Sequence, residues 1–188
     1  PVISGMSSSI SVAENQTAVV TISASDAEGS TLTYFLSGTD AAYLTISSSG
    51  IITFNTAPDY ETKSNYSIAV NVSDGTNSVS QDITVTVTNV NDNNPIITSA
   101  ATFGAAENQT AIGTVTATDA DEDALTYTLT GSDASLISIS SSGVMTFNTA
   151  PDYETKSSYS VTVKVSDGNY TISKAFIINI TNLNDNNP

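Results

Sequence analysis

Acidic residues recur in this chain at a fixed interval. Seven candidate ligands among the acids of the first half each have an acid 93 residues later. The pairs are Glu14 and Glu107, Asp26 and Asp119, Glu28 and Asp121, Asp59 and Asp152, Glu61 and Glu154, Asp74 and Asp167, and Asp92 and Asp185. A halophile-like acidic surface is the alternative, but it needs no matched spacing. Carboxylate and Asn oxygens without His or Cys select Ca²⁺ over zinc or copper, so the spacing predicts calcium sites.

The charge balance excludes several classes of function. The chain has 19 acids against 4 basic residues, with a formal charge of -15 and neither His nor Cys. Nucleic acids and anionic membranes bind positive charge, so we expect neither as a partner. Without Cys the chain has no disulfide and no thiolate zinc site. No apolar run approaches the roughly 20 residues of a transmembrane helix, so we predict that this segment does not insert into a membrane.

A long exact repeat predicts the domain organisation. The segment F-N-T-A-P-D-Y-E-T-K-S occurs at residues 54–64 and again at 147–157. Because the period is far longer than a solenoid unit, it indicates one whole domain that has been duplicated. We predict domains at residues 1–94 and 95–188, joined by a linker at about residues 89–95.

Each copy shows the two-residue periodicity of β-strands. Ile68, Val70 and Val72 alternate with polar residues before the turn signal Asp74-Gly75, and a second alternating run follows. About seven short runs rich in Val, Ile and Thr predict an all-β chain of two tandem Greek-key, seven-stranded β-sandwiches of immunoglobulin-like type. An eight-stranded barrel across the whole chain is the alternative, and the duplication disfavours it.

The order of these motifs resembles tandem cadherin repeats. The resemblance covers the whole chain, twice. It is carried by A-E-N near the start, D-Y-E in place of the usual D-R-E, D-A-D at residues 119–121, V-S-D-G, and the linker pattern x-N-D-N-x-P.

The resemblance implies a calcium-binding linker. In cadherins calcium ions, usually three, lie between successive domains and are held by both domains and the linker. On this sequence the implied ligands are Glu14, Asp59 and Glu61 of the first domain, Asn89, Val90, Asn91, Asp92 and Asn93 of the linker, and Asp119, Asp121 and Asp167 of the second domain. Val90 and Asn93 would offer backbone carbonyls, and Asp121 would bridge ions. Such a cluster is repulsive without calcium, so the linker is expected to be stiff with calcium and loose without it.

One departure from the family pattern affects the expected calcium affinity. Asn89 stands where cadherins usually have Asp, which keeps an oxygen ligand but removes a charge. We therefore expect an affinity of about 10⁻⁴ to 10⁻³ M, typical of extracellular modules. Further ions are expected near the chain ends, with one partly coordinated by Glu107, Asp152, Glu154 and Asp185.

The sequence supports a catalytic role for the acids less well than a calcium-ligand role. The D-Y-E pairs have the composition of glycosidase carboxylates, but two identical copies at domain ends favour a ligand role. Asp119 to Asp123 resembles the start of an EF-hand, yet Ala124 stands where that loop needs Gly. The serines have no His to activate them. We predict that the chain is not an enzyme.

The predicted function is that of a calcium-stiffened module. It would rigidify an extracellular or cell-surface, multi-domain protein with a membrane anchor elsewhere and mediate or support cell adhesion. Its expected partners are neighbouring repeats of the same chain and another cell-surface protein or a polysaccharide. The alternative is a polysaccharide-binding module of a secreted bacterial protein. The Ser, Thr and Asn content and the absence of Cys resemble a bacterial surface adhesin more than an animal cadherin.

Overall fold

The computed structural model describes residues 1–185. Residues 186–188, which hold the end of the second N-D-N-N-P motif and of the second predicted domain, lie outside the described residues. The chain forms two compact units, the first spanning Pro1–Val90 and the second beginning at Asn91. The predicted domain limits at residues 94 and 95 stay a prediction.

The first unit consists of nine strand segments and one short 3₁₀ helix at Ala41–Tyr43. The strands are β1 (Val2–Ser4), β2 (Ser9–Ala13), β3 (Ala18–Thr21), β4 (Ser23–Ser25), β5 (Thr33–Ser37), β6 (Leu44–Ile46), β7 (Ile51–Phe54), β8 (Asn65–Ser73) and β9 (Ser78–Thr88). A four-stranded sheet has the order β2-β9-β8-β5, and a three-stranded sheet has the order β3-β7-β6. Because neighbours in these sheets are not all consecutive in the chain, the backbone crosses between sheets, as in a Greek-key sandwich.

The second unit repeats this topology. Its 3₁₀ helix is Ala134–Leu136. Its strands are β10 (Ile96–Ile97), β11 (Thr102–Ala106), β12 (Ala111–Thr114), β13 (Ala117–Thr118), β14 (Thr126–Thr130), β15 (Ile137–Ile139), β16 (Val144–Phe147), β17 (Ser158–Ser166) and β18 (Thr171–Thr181). Its sheets have the orders β11-β18-β17-β14 and β12-β16-β15.

The two larger sheets of each unit contain the seven predicted strands, and a small extra pair accompanies them. The extra pairs are β1 with β4 and β10 with β13. In the first unit, β3 and β4 are separated only by Ile22, so one continuous stretch of chain contributes to two sheets. The predicted fold class, two tandem all-β sandwiches, is confirmed.

Hydrophobic alternation places one face of each hairpin in a core. In β8 the side chains of Tyr66, Ile68, Val70 and Val72 are buried, while the residues between them face outward. Strand β17 repeats the pattern with Tyr159, Val161, Val163 and Val165. Each unit has its own core cluster. Strand β8 ends at Ser73, directly before Asp74, and strand β17 ends at Ser166, directly before Asp167.

Candidate metal centres

Four acids and one linker amide of the second unit form what we call the Asp119 cluster. Its members are Asn91, Asp119, Asp121, Asp123 and Asp167. Asp119 directly follows β13, and Asp167 directly follows β17. Carboxylate oxygens of Asp119, Asp121 and Asp123 lie within 4.8 Å of one another. The ends of two strands thus bring acids far apart in sequence to one place.

Backbone N–H groups fix the orientation of these carboxylates. Asp119 Oδ1 accepts from the N–H of Asp121 at 3.1 Å and of Asp123 at 3.4 Å. Asp121 Oδ2 accepts from the N–H of Asp92 at 3.0 Å and of Asn93 at 2.8 Å. The backbone at Asp92 and Asn93 is therefore hydrogen-bonded to the Asp121 carboxylate.

A similar turn holds Asp167. Its Oδ1 accepts from the N–H of Asn169 at 2.7 Å and of Tyr170 at 2.6 Å. Asn91 lies beside it, because Asn91 Nδ2 donates to the Asp167 carbonyl at 3.3 Å and the Asn91 carbonyl accepts from Asn169 Nδ2 at 3.0 Å.

Three oxygens in this cluster are shielded from solvent and have no hydrogen-bond partner. They are Asn91 Oδ1, Asp119 Oδ2 and Asp167 Oδ2. The Asp167 residue is only 8% exposed. Burying an acceptor without a donor costs free energy, and burying an unpaired carboxylate oxygen costs more. Shielded oxygen acceptors of this kind fit a hard cation such as Ca²⁺.

Asp123 is absent from the predicted ligand set, although the structure places it in the cluster. Burial raises the pKa of its carboxyl group, and the neighbouring charges of Asp119, Asp121 and Asp167 raise this pKa further. The repeat comparison missed it because the residue 93 positions earlier is Ser30. The signal available in the sequence was the alternation of three Asp residues at 119, 121 and 123.

Three acids at the other end of the second unit form what we call the Glu107 cluster. Carboxylate oxygens of Glu107, Asp152 and Glu154 lie within 4.8 Å of one another. Glu107 is 2% exposed, and its carboxylate accepts from the N–H of Tyr153 at 2.9 Å and of Leu183 at 2.5 Å. Three of the four acids predicted for this end are therefore grouped in the structure.

The fourth predicted acid, Asp185, is held beside this group. Asp185 is exposed, and its Oδ2 accepts from Asn108 Nδ2 at 2.5 Å. Asn108 directly follows Glu107 and has a left-handed backbone with φ of 62°. Among the grouped acids, Asp152 has a lowered pKa, chiefly because its carboxylate accepts a hydrogen bond from the Thr155 hydroxyl.

The first unit repeats this arrangement around Glu14. Glu14 is 4% exposed, and its carboxylate accepts from the N–H of Tyr60 and of Val90, both at 2.7 Å. Oxygens of Glu14 and Glu61 lie within 4.8 Å of each other. Asp59 precedes Tyr60, and the Thr62 hydroxyl, as a donor, lowers the pKa of the Asp59 carboxyl group.

The remaining predicted linker residues are more open. Asn89 and Asp92 are exposed. Asn93 Nδ2 donates to Asp92 Oδ1 at 2.9 Å and to Asp121 Oδ1 at 2.8 Å. The Val90 carbonyl, predicted as a ligand, belongs to an exposed residue whose N–H is used by Glu14.

Two acids at the start of the first unit occupy loops like those of the Asp119 cluster. Asp26 Oδ1 accepts from the N–H of Glu28 and Ser30, and Asp74 Oδ1 accepts from the N–H of Thr76 and Asn77. These hydrogen bonds lower the pKa of both carboxyl groups.

An eighth matched pair of acids, not predicted as functional, serves the fold. Asp40 and Asp133 are 93 residues apart and each is 7% exposed. Asp40 accepts from the Ser67 N–H at 2.7 Å and forms an ion pair with Lys63 at 2.9 Å. Asp133 forms the equivalent pair with Lys156. Because a lysine neutralises each of these acids, they are not candidates for cation binding.

Comparison with known proteins places the chain in a family. Both repeats match the profile of a family described as bacterial Ig domain, over residues 1–88 and 91–181. The chain belongs to this family. Its two halves are also similar to cadherin repeats, so the predicted resemblance to tandem cadherin-like domains is confirmed.

The curated relatives are cadherins that are much longer than this chain. Mouse protocadherin Fat 4 is 35% identical over 141 residues, which is 69% of this chain and 3% of that protein. Human cadherin EGF LAG seven-pass G-type receptor 2 is 30% identical over 184 residues, which is 90% of this chain and 6% of that protein. The chain thus spans only a small part of the curated relatives it matches.

Solved structures show the same fold. Human protocadherin-24 EC1-2 has a TM-score of 0.76 at 22% identity, with 94% of each chain covered. Mouse cadherin-23 EC22-24 has a TM-score of 0.82 at 21% identity, covering 97% of this chain and 65% of that one. Within residues 1–185, no helix has the length and hydrophobicity that crossing a membrane requires.

Proposed function

We propose that this bacterial Ig-family chain is a calcium-binding, tandem cadherin-like module that rigidifies an extracellular or cell-surface protein and supports adhesion. The observation that carries the proposal is the set of three shielded oxygens without partners in the Asp119 cluster, on Asn91, Asp119 and Asp167. A bound cation would supply the partner that these acceptors lack. The formal charge of -15 supports the same conclusion, since cations relieve the self-repulsion of the chain.

The residues proposed as ligands differ in what they contribute. In the Asp119 cluster, Asn91 supplies an amide oxygen, while Asp119, Asp121 and Asp167 supply carboxylates. In the Glu107 cluster, Asp152 and Glu154 supply exposed carboxylates, and Glu107 uses its oxygens for backbone donors as well. All of these are hard oxygen ligands, which is the donor set that Ca²⁺ prefers.

We also propose, from the cadherin-like order of the motifs, that linker residues 89–95 share calcium ions with both repeats. Three ions would lie at this linker. The first domain would contribute the carboxylates of Glu14, Asp59 and Glu61 as further ligands. Calcium would then restrict the linker, because its acids repel one another when no cation is bound. Neighbouring repeats of a longer parent chain are the expected partners.

Thermal unfolding of the whole chain tests calcium binding. A ligand that binds only the folded state stabilises it by RT ln(1 + [L]/Kd), so the midpoint must rise with calcium concentration. We expect a rise between EDTA and about 10 mM CaCl₂, and a smaller rise for Asp121→Asn. Asp82→Asn is a matched control, since Asp82 is an exposed acid on β9 outside these clusters. A midpoint that ignores calcium would refute the proposal.

Polysaccharide binding is the second candidate function. A shallow groove of about 690 Å³ crosses the outward face of β2, β8 and β9 and is lined by Ser9, Ser67, Asp82 and Thr84. Hydroxyl and carboxylate groups of this kind hydrogen-bond polyols. A pull-down with insoluble polysaccharides, with and without calcium, tests this function, and no retention on any polymer favours the adhesive or spacer role.

A further inference from the structure

The two repeats share one backbone turn but differ at its fifth residue. In the first unit, Asp26 Oδ1 accepts from the N–H of Glu28 at 3.1 Å and of Ser30 at 3.0 Å. In the second unit, Asp119 Oδ1 accepts from the corresponding N–H groups of Asp121 and Asp123. The turn therefore fixes the backbone of the fifth residue in both units, and only its side chain changes from hydroxymethyl to carboxylate.

This change adds a fourth carboxylate to a site that already has unpaired acceptors. An oxygen of Asp123 lies within 4.8 Å of oxygens of Asp119 and Asp121. Asp123 is half-buried, and it experiences the charge of Asp167 as well. Asp167 Oδ2 is shielded and without a hydrogen-bond partner, which is an independent sign that a cation belongs here.

No lysine neutralises this cluster among the described residues. Lys156 pairs with Asp133, and Lys174 donates to the Ser99 carbonyl at 2.6 Å. Lys164 is exposed on β17, and no ion pair links it to an acid of the cluster. A single Ca²⁺ balances only two of the four carboxylates, so the residual charge would still favour cations.

We propose that Asp123 is an additional calcium ligand, which gives the second unit a cation site built from its own residues. The site consists of Asp119, Asp121, Asp123 and Asp167 with the amide oxygen of Asn91. The first unit has Ser30 in place of Asp123 and lacks the fourth carboxylate. The inference rests on the proposed calcium-binding function. It adds one ligand, Asp123, and a difference between the two repeats in the number of carboxylates at this turn.

Calcium competition against terbium on the whole chain tests this inference. Tyr170 directly follows the Asp167 turn, and the chain has no Trp, so tyrosine sensitises terbium bound at this site. Asp167→Asn identifies the binding phase that belongs to the cluster. Asp123→Ser introduces the residue of the first repeat, and Asp123→Asn keeps an oxygen while removing the charge.

For the phase that Asp167→Asn removes, we expect Asp123→Ser to raise the calcium Kd about tenfold or more, because ligand charge sets the affinity of such sites. Asp123→Asn should fall between Asp123→Ser and the parent chain. Asp82→Asn should leave the phase unchanged. If Asp123→Ser changes the Kd less than twofold while Asp167→Asn removes the phase, Asp123 is not a ligand. If Asp167→Asn has no effect either, the proposed function fails at this site.

Thermal unfolding separates a ligand from a purely structural residue. In EDTA, Asp123→Ser removes a carboxylate from a repulsive cluster, so the midpoint should be unchanged or higher than that of the parent chain. In the presence of calcium, Asp123→Ser should have a lower melting midpoint than the parent chain. A midpoint lowered equally in both conditions would indicate a structural role and overturn the inference.

Discussion

Replacing Glu107 should reveal how much of the proposed calcium site at the Glu107 cluster also stabilises the fold. Glu107 is 2% exposed, and its carboxylate accepts from two backbone N–H groups, those of Tyr153 and Leu183. Glu107→Ala leaves both of these part-buried donors without their acceptor. Each such loss costs about 1–3 kcal/mol, so we expect a loss of about 2–6 kcal/mol from the free energy of unfolding of the second unit.

The conservative variant Glu107→Gln should lose only part of this free energy of unfolding. Glu107→Gln keeps one oxygen as an acceptor but turns an NH₂ group toward the other N–H, so about half of the loss or more should remain. Glu154→Ala is the matched control, because Glu154 belongs to the same cluster but is exposed. In EDTA, Glu154→Ala should unfold close to the parent chain.

Urea unfolding in EDTA, followed by circular dichroism, measures these effects without a calcium contribution. With an m-value of about 1–3 kcal/mol/M, the expected loss for Glu107→Ala lowers the urea midpoint by at least about 0.7 M. Glu14→Ala should do the same to the transition of the first unit, since Glu14 accepts from two N–H groups at 2.7 Å. If Glu107→Ala and the parent chain unfold at the same urea concentration, the structural role assigned to these hydrogen bonds is wrong.

Two further substitutions test the fold around the sites. Lys63→Met should lower the urea midpoint at neutral pH and low salt, because it leaves the buried Asp40 without its cation. A backbone N–H and Lys63 together lower the pKa of Asp40 below its usual 3.8, so their stabilisation is complete above that pH and is lost as the pH falls through the lowered value. The midpoints of Lys63→Met and the parent chain should therefore converge as the pH falls below 3.8 and through the lowered pKa of Asp40, and a gap that does not shrink on acidification would contradict this. Gly50→Ala should lower the melting midpoint more than Gly75→Ala, because both have positive φ but only a Gly50 Cβ would lie 2.6 Å from the Ile22 carbonyl oxygen; equal effects would contradict the clash.

The fold was predictable because duplication and two-residue alternation are both written in the order of the residues. Ile68, Val70 and Val72 fix which face of β8 is buried, and the same pattern recurs in β17. Alternation does not encode the division of residues 18–25 into β3 and β4 on either side of Ile22. That division depends on which neighbouring strand supplies hydrogen bonds on each side.

The candidate sites were predictable only where the repeats agree. Glu14, Asp59 and Glu61 recur with the family motif and so were identified. Asp123 was missed because its counterpart is Ser30, and a repeat comparison discards what the copies do not share. Asp40 recurs, yet its role depends on Lys63, which only the folded chain brings within 2.9 Å.

In Asp119 and Asp167 the two carboxylate oxygens have different surroundings. This difference explains why these positions hold acids and not amides. In each of these residues Oδ1 accepts backbone N–H groups, and Oδ2 is shielded without a partner. An Asn whose oxygen took the backbone bonds would turn an NH₂ group toward the site and repel a cation. A carboxylate serves both purposes, so at the proposed site the fold would orient the ligand before calcium binds, and binding would cost little additional ordering. The same arrangement makes the calcium-free cluster electrostatically unfavourable, which is why its occupancy should register directly in the stability of the second unit.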